Sequence, residues 1–162
     1  MKPIHPIFVH FPIALLALSV AADAVAFFTD IDSLRNTGGW ALFGAAAGGV
    51  VTAATGVFDM RRAELTEQVH ERVHRHMKVG LMLTAVVLGL AAWRLTIFLQ
   101  GIAVSGTYLD CAILAMALAG FQGWLGGELV YSYGVSVQHL PKAVTRSART
   151  VAAKPKNAKH EH

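Results

Sequence analysis

Eight histidines among 162 residues have the clearest chemical reach in this sequence. His5 and His10 stand near the start, and His70, His74 and His76 share one short charged stretch. His139 follows the last apolar run, and His160 and His162 lie at the far end. Asp59 and Glu128 each terminate an apolar run at the same level. Neutral imidazole is a common metal ligand and a proton acceptor near neutral pH, and a hydrogen bond to its second nitrogen orients it. Two histidines from facing helices can hold a haem iron for electron transfer. The expected axial pair is His10 with His76 or His74. His5 and the remaining histidine of that stretch would serve a second haem or hydrogen-bond a propionate, and Asp59 or Glu128 would orient an imidazole. The expected cofactor is b-type haem, with zinc or iron as the alternative.

One motif points to a different chemistry. His70-Glu71-Arg72-Val73-His74 is HExxH, which on a helix sets two imidazoles one turn apart with a glutamate able to act as general base. A non-redox metal site of His70, His74 and Glu71 is the second reading. Proteolysis is disfavoured, because Arg72 puts a charge beside the metal and little chain remains outside the apolar runs to build a cleft. The same stretch holds two ExxH matches, but a di-iron bundle needs them on two helices. The chain thus reads as an electron-transfer or binding subunit rather than a self-contained enzyme. A cofactor-free structural subunit, whose polar cluster satisfies only itself, is the third reading.

The elements that carry these residues are set by hydropathy. The chain is 54% hydrophobic and 15% charged, with a mean hydropathy of +0.49, against about 25% charged in soluble domains. Uncharged runs of 20, 23, 15 and 17 residues lie between Lys2 and Asp23, Arg35 and Asp59, Lys78 and Arg94, and Asp110 and Glu128. About 20 apolar residues cross a bilayer core. The two shorter runs reach that length if Arg94 and Asp110 snorkel to an interface. All four runs are apolar around the whole helix, unlike the one-sided helices of a soluble domain. The fold expected is an all-α, integral membrane four-helix bundle over residues 1–140, with its first run retained rather than cleaved. His10 would lie about 6 Å inside a helix that starts at Pro6. Asp23 sits toward the opposite end, where pairing with Arg94 or Arg35 is expected and no function is assigned.

Charge sets the orientation. Twelve of the 14 Lys and Arg residues flank the histidine-bearing ends or lie in the tail, and only Arg35 and Arg94 lie at the other ends. By the positive-inside tendency, both termini are cytoplasmic, the membrane is the bacterial inner membrane, and the charged stretch from Arg61 to Lys78 is a helix extending into the cytoplasm. Residues 141–162 read as a disordered basic tail drawn to anionic lipid, with no need of a nucleic-acid partner. The partners expected are the lipid bilayer and a redox partner or other membrane subunits. Gly44 to Gly48 and Gly123 to Gly127 are GxxxG patterns, read as packing within the bundle. The lone Cys111 permits no internal disulfide and is read as a packing residue.

His5-Pro-Ile-Phe-Val-His-Phe-Pro-Ile-Ala-Leu15, Gly56-Val-Phe-Asp59, a histidine before the third run, and Gly126-Gly-Glu-Leu-Val-Tyr131 followed by Gly134-Val-Ser-Val137 form a recognisable series. They resemble the motifs of a bacterial family of predicted membrane proteins without assigned function, over about residues 3 to 140. Ser136 stands where that family usually has a second glycine. The resemblance singles out His5, His10, Asp59, a third-helix histidine and Glu128. It also implies membrane electron transfer by association, since the family's domain occurs fused to Rieske-type iron–sulfur domains.

Overall fold

The computed structural model describes residues 4–62 and 67–133; at Gln68 only the backbone is described. The basic tail at 141–162, the closing Gly134–Val137 segment, His139, His160 and His162 lie outside the described residues. The described residues form five helices and no strand: α1 (His5–Phe8), α2 (His10–Thr29), α3 (Asp32–Arg62), α4 (Glu67–Gln100) and α5 (Gly106–Tyr131). α1 and α2 run on as one span, so four stretches are long and apolar enough to cross a membrane: His5–Thr29, Asp32–Arg62, Val69–Gln100 and Gly106–Tyr131. Their best windows have mean hydropathies of 2.1, 1.7, 1.9 and 1.4. The all-α, four-span architecture expected from hydropathy is the one observed.

The interruption between α1 and α2 has a local cause. Val9 keeps helical angles (φ −63°, ψ −33°), but Pro12 has no N–H to offer the carbonyl four residues earlier, at Phe8. The Thr52 hydroxyl of α3 donates to that carbonyl instead, at 3.3 Å. The α2–α3 link is tight: Asp30 takes the left-handed conformation (φ 56°) and its N–H returns to the Ala26 carbonyl at 2.8 Å. Arg35 pairs with Asp30 and with Asp32, the latter at 2.6 Å, and braces the corner. Between α4 and α5, Gly101 supplies the left-handed turn (φ 64°). Ser105 then caps α5, its hydroxyl accepting the Tyr108 N–H at 3.2 Å. An oxygen-bearing residue at that position satisfies one of the unpaired N–H groups of a first helical turn.

The helices pack in a ring: α2 on α3, α3 on α4, α4 on α5, and α5 back on α2. The diagonal pairs make no close backbone approach among the described residues. The axis is filled midway by Leu16, Leu42, Ala45, Val87, Leu90 and Ala112. Large apolar side chains such as Phe11, Trp40, Leu114 and Trp124 point outward, as a lipid-facing surface requires. Gly44 lets Leu15 seat on α3, since a Cβ there would meet Leu15 at 2.8 Å. Gly48 receives Phe11 and Pro12 in the same way, at 3.4 Å. The second GxxxG pattern differs from expectation: nothing of another helix lies within 4 Å of a Cβ built at Gly123 or Gly127. That face of α5 turns away from the bundle, so its small residues do not serve packing within it. The charged stretch expected as one helix from Arg61 is divided: Arg61 and Arg62 close α3, and from Glu67 it is helical and continuous with the third span. Arg94 also departs from expectation. It turns inward and is 2% exposed, because Asp23 waits at the axis to pair with it.

Candidate functional site

Polar side chains occupy the bundle at both ends of its apolar middle. The histidine-bearing end is built around α1, which α3 holds at three points. The Asp59 carboxylate accepts the N–H of Ile4 at 2.7 Å and of His5 at 2.8 Å, with the same oxygen. These N–H groups open a helix and have no partner along it. The His5 ring bonds through Nδ1 to the Thr52 carbonyl at 2.9 Å, and Thr52 also donates to Phe8 as described. A carbonyl only accepts, so His5 carries a proton on Nδ1, which in the neutral ring leaves the lone pair on Nε2.

His76 of α4 faces His5 across the bundle. The ring centres are 6.2 Å apart and the ring planes are inclined by 83°. From α5, the amide nitrogen of Gln122 donates to the His76 carbonyl at 3.0 Å and lies 3.2 Å from His76 Nε2. With the two amide hydrogens used in this way, Nε2 accepts and Nδ1 bears the proton. Three buried polar atoms here have no hydrogen-bond partner among the described residues: His76 Nδ1, His74 Nδ1 and Gln122 Oε1. The rings fit because glycines back them. A Cβ at Gly56 would stand 3.1 Å from the His5 ring, one at Gly126 3.1 Å from the His76 ring, and one at Gly80 2.8 Å from the Gln122 amide. The pair thus joins one imidazole with an open acceptor nitrogen to one with a buried nitrogen awaiting a partner. Such a pair can ligate a metal or relay a proton.

The other expected site residues share this height but not this orientation. His10 is exposed on the outside of α2. Five residues separate it from His5, a rotation of about 140° around a helix of 3.6 residues per turn, so the two cannot both face the axis. His70 and His74 lie on one face of α4, stacked at 6.1 Å with planes 11° apart. His76 is two residues on from His74 and points elsewhere. His70 and Glu71 are exposed. No group of three or more His, Cys, Asp or Glu side chains among the described residues is arranged to hold a metal, so the HExxH pair finds no third ligand there. Glu128 pairs with Arg72 at 3.1 Å and ties α5 to α4. Asp59 acts on His5 through the backbone and not through the ring. Thr52, Gln122 and the backing glycines complete the site, although in the sequence Thr52 and Gln122 are only polar residues within apolar runs.

The opposite end holds a second cluster. Asp23 and Arg94 pair at 2.8 Å, with side chains 1% and 2% exposed, and Arg94 also donates to the Arg35 carbonyl. Gly38 and Gly39 of α3 give them room, since a Cβ at Gly38 would come within 2.2 Å of the Asp23 carboxylate. Tyr108 of α5 is fully buried beside them, its ring 5.6 Å from the Arg94 guanidinium. The pairing expected of Asp23 is observed, and the small slot that receives it adds Tyr108 to the cluster.

No curated protein and no solved structure matches this chain. A family model does, over residues 1–139. That match takes in every described helix and both polar clusters, and the chain belongs to the family described as Predicted membrane protein (DUF2231).

Proposed function

We propose that this multi-pass membrane protein is a small redox subunit in which His5 and His76 hold the iron of a b-type haem. The observation that carries this reading is the His5–His76 pair itself. The two rings come from diagonal elements of the bundle and meet at 6.2 Å between centres. His5 through Nε2 and His76 through Nδ1 are the side chains that would hold the iron. The Thr52 carbonyl fixes the His5 tautomer that leaves Nε2 free to ligate, the usual arrangement of a metal-bound histidine. For His76 to ligate through Nδ1, its proton must move to Nε2. Gln122 would then present Oε1 in place of its amide nitrogen and give up its bond to the His76 carbonyl. Bound haem would supply a one-electron couple, while the apolar helices around it would exclude water. The excess of basic residues at this end supports a cytoplasmic location for the site, facing a soluble or membrane redox partner. His10, outside the bundle, is not needed as a ligand.

Absorbance of the detergent-purified protein, expressed with ample haem precursor, tests the reading. A sharp reduced-minus-oxidised α-band is expected, lost in His5→Ala and in His76→Ala and retained in His10→Ala. Folded wild-type protein that stays colourless would overturn it. Metal analysis of the same samples distinguishes the alternative: zinc or iron without haem, lost in His74→Ala, would move the site to the His70–His74 face.

A further inference from the structure

The cluster at Asp23, Arg94 and Tyr108 leaves three polar atoms without a hydrogen-bond partner among the described residues: Asp23 Oδ2, Arg94 Nη1 and Tyr108 Oη. Their residues are 0%, 2% and 0% exposed. The three differ in kind. A carboxylate oxygen only accepts, a guanidinium nitrogen only donates, and a phenol hydroxyl does either. An unpartnered polar group in a low-dielectric interior is costly, and three in one cluster call for a ligand able to give and receive hydrogen bonds.

Charge narrows the class. The Arg94 guanidinium is already matched by Asp23, and Arg35 is more than matched by Asp30 and Asp32. An anion would add an uncompensated negative charge, and a cation at Asp23 Oδ2 would meet the Arg94 guanidinium beside it. A small neutral molecule that both donates and accepts remains, and water is the one available from either aqueous phase. An open pocket lies on neighbouring residues, with none of the three lining it. A cavity of about 120 Å³ is lined by Ala26, Phe27, Asp30, Arg35, Ala103 and Val104. Ala26 is one turn beyond Asp23 on α2, Val104 is one turn before Tyr108, and the Arg35 carbonyl is the one that receives Arg94.

We propose that Asp23, Arg94 and Tyr108 form a water-binding site inside the bundle, filled through the cavity beside Arg35 from that end of the protein. The site is independent of any cofactor at the histidines. Water-edited solid-state NMR of the isotope-labelled full chain in liposomes tests it. Polarisation from water is expected to reach the Asp23 carboxyl and Tyr108 Cζ as fast as it reaches half-buried Arg35, and several-fold faster than it reaches Leu42 in the apolar middle. Ala103→Trp, at the exposed rim of the cavity, should slow transfer to Asp23 several-fold and leave Arg35 unchanged. Val104→Phe provides a second plug should the first fail to fold, with circular dichroism and elution volume as the check on folding. Transfer to Asp23 and Tyr108 as slow as to Leu42 would overturn the water site. Fast transfer that a folded plug variant leaves unchanged would overturn the route, and the proposal with it.

Discussion

Asp23 and Arg94 illustrate how a pair of single residues can govern a membrane bundle. Each is almost completely withdrawn from solvent, so each depends on the other to offset its desolvation. Removing one partner of a buried pair strands the other, a loss of about 3–5 kcal/mol, whereas replacing both by apolar residues of similar volume is often neutral or stabilising. Asp23→Ala and Arg94→Ala are therefore each expected to lower the midpoint of thermal unfolding in detergent sharply. The double variant Asp23→Leu/Arg94→Met is expected to recover most of that loss. Equal and additive losses would mean that the two side chains do not depend on each other. The pairing itself was legible in the sequence, because a charged residue near the end of each of two spans has few alternatives. The histidines were legible in depth but not in azimuth. Counting residues sets how far His5, His10, His70, His74 and His76 lie along their helices, and all fall near one end. Which of them faces the axis depends on the rotation of each helix, which Gly56, Gly126 and the clamp from Thr52 determine. Nothing in a single sequence reports that rotation where a span is apolar all round.

At the scale of elements, α1 is the shortest and the most dependent on its neighbour. Its N-terminal N–H groups end on Asp59, and caps of this kind are worth about 0.5–2 kcal/mol. Asp59→Ala is expected to fray residues 4–8, read as faster hydrogen exchange there with little change in α4. If the proposed haem is present, its α-band should weaken in parallel. A variant with wild-type exchange would show that Thr52 alone holds the segment. The two GxxxG patterns make a second contrast. Gly44→Leu drives a side chain into Leu15, and overpacking of this kind commonly costs about 1–3 kcal/mol. Gly123→Leu meets open space in the monomer and is expected to leave the monomer's unfolding midpoint within experimental error. Reversal of that order would place the α2–α3 contact elsewhere. The sequence held both patterns in the same form. Only the packing of α2 on α3, and the turning of Gly123 and Gly127 away from the other helices, separates them.

Across the whole molecule, the four spans follow from hydropathy, since no run has a polar face, whereas their order around the ring comes from the packing. Sidedness rests on the charge count, with the histidine-bearing ends carrying the basic residues. Fusion of a reporter active only in the cytoplasm to a chain ending after Tyr133 is expected to give full activity, and the same fusion after Ile31 to give none. The opposite pattern would put the histidines on the outer side. The apolar layer of Leu16, Leu42, Val87 and Leu90 has an electrical consequence. Along α4, His76 and Arg94 are separated by about 27 Å, at 1.5 Å per residue, and the layer between them acts as the dielectric of a capacitor. Most of a transmembrane voltage, about 2.3 kcal/mol per charge per 100 mV across the full thickness, falls across that layer. Each polar cluster thus lies on its own side of that layer. A charge gained or lost at the histidines from that side does almost no work against the field.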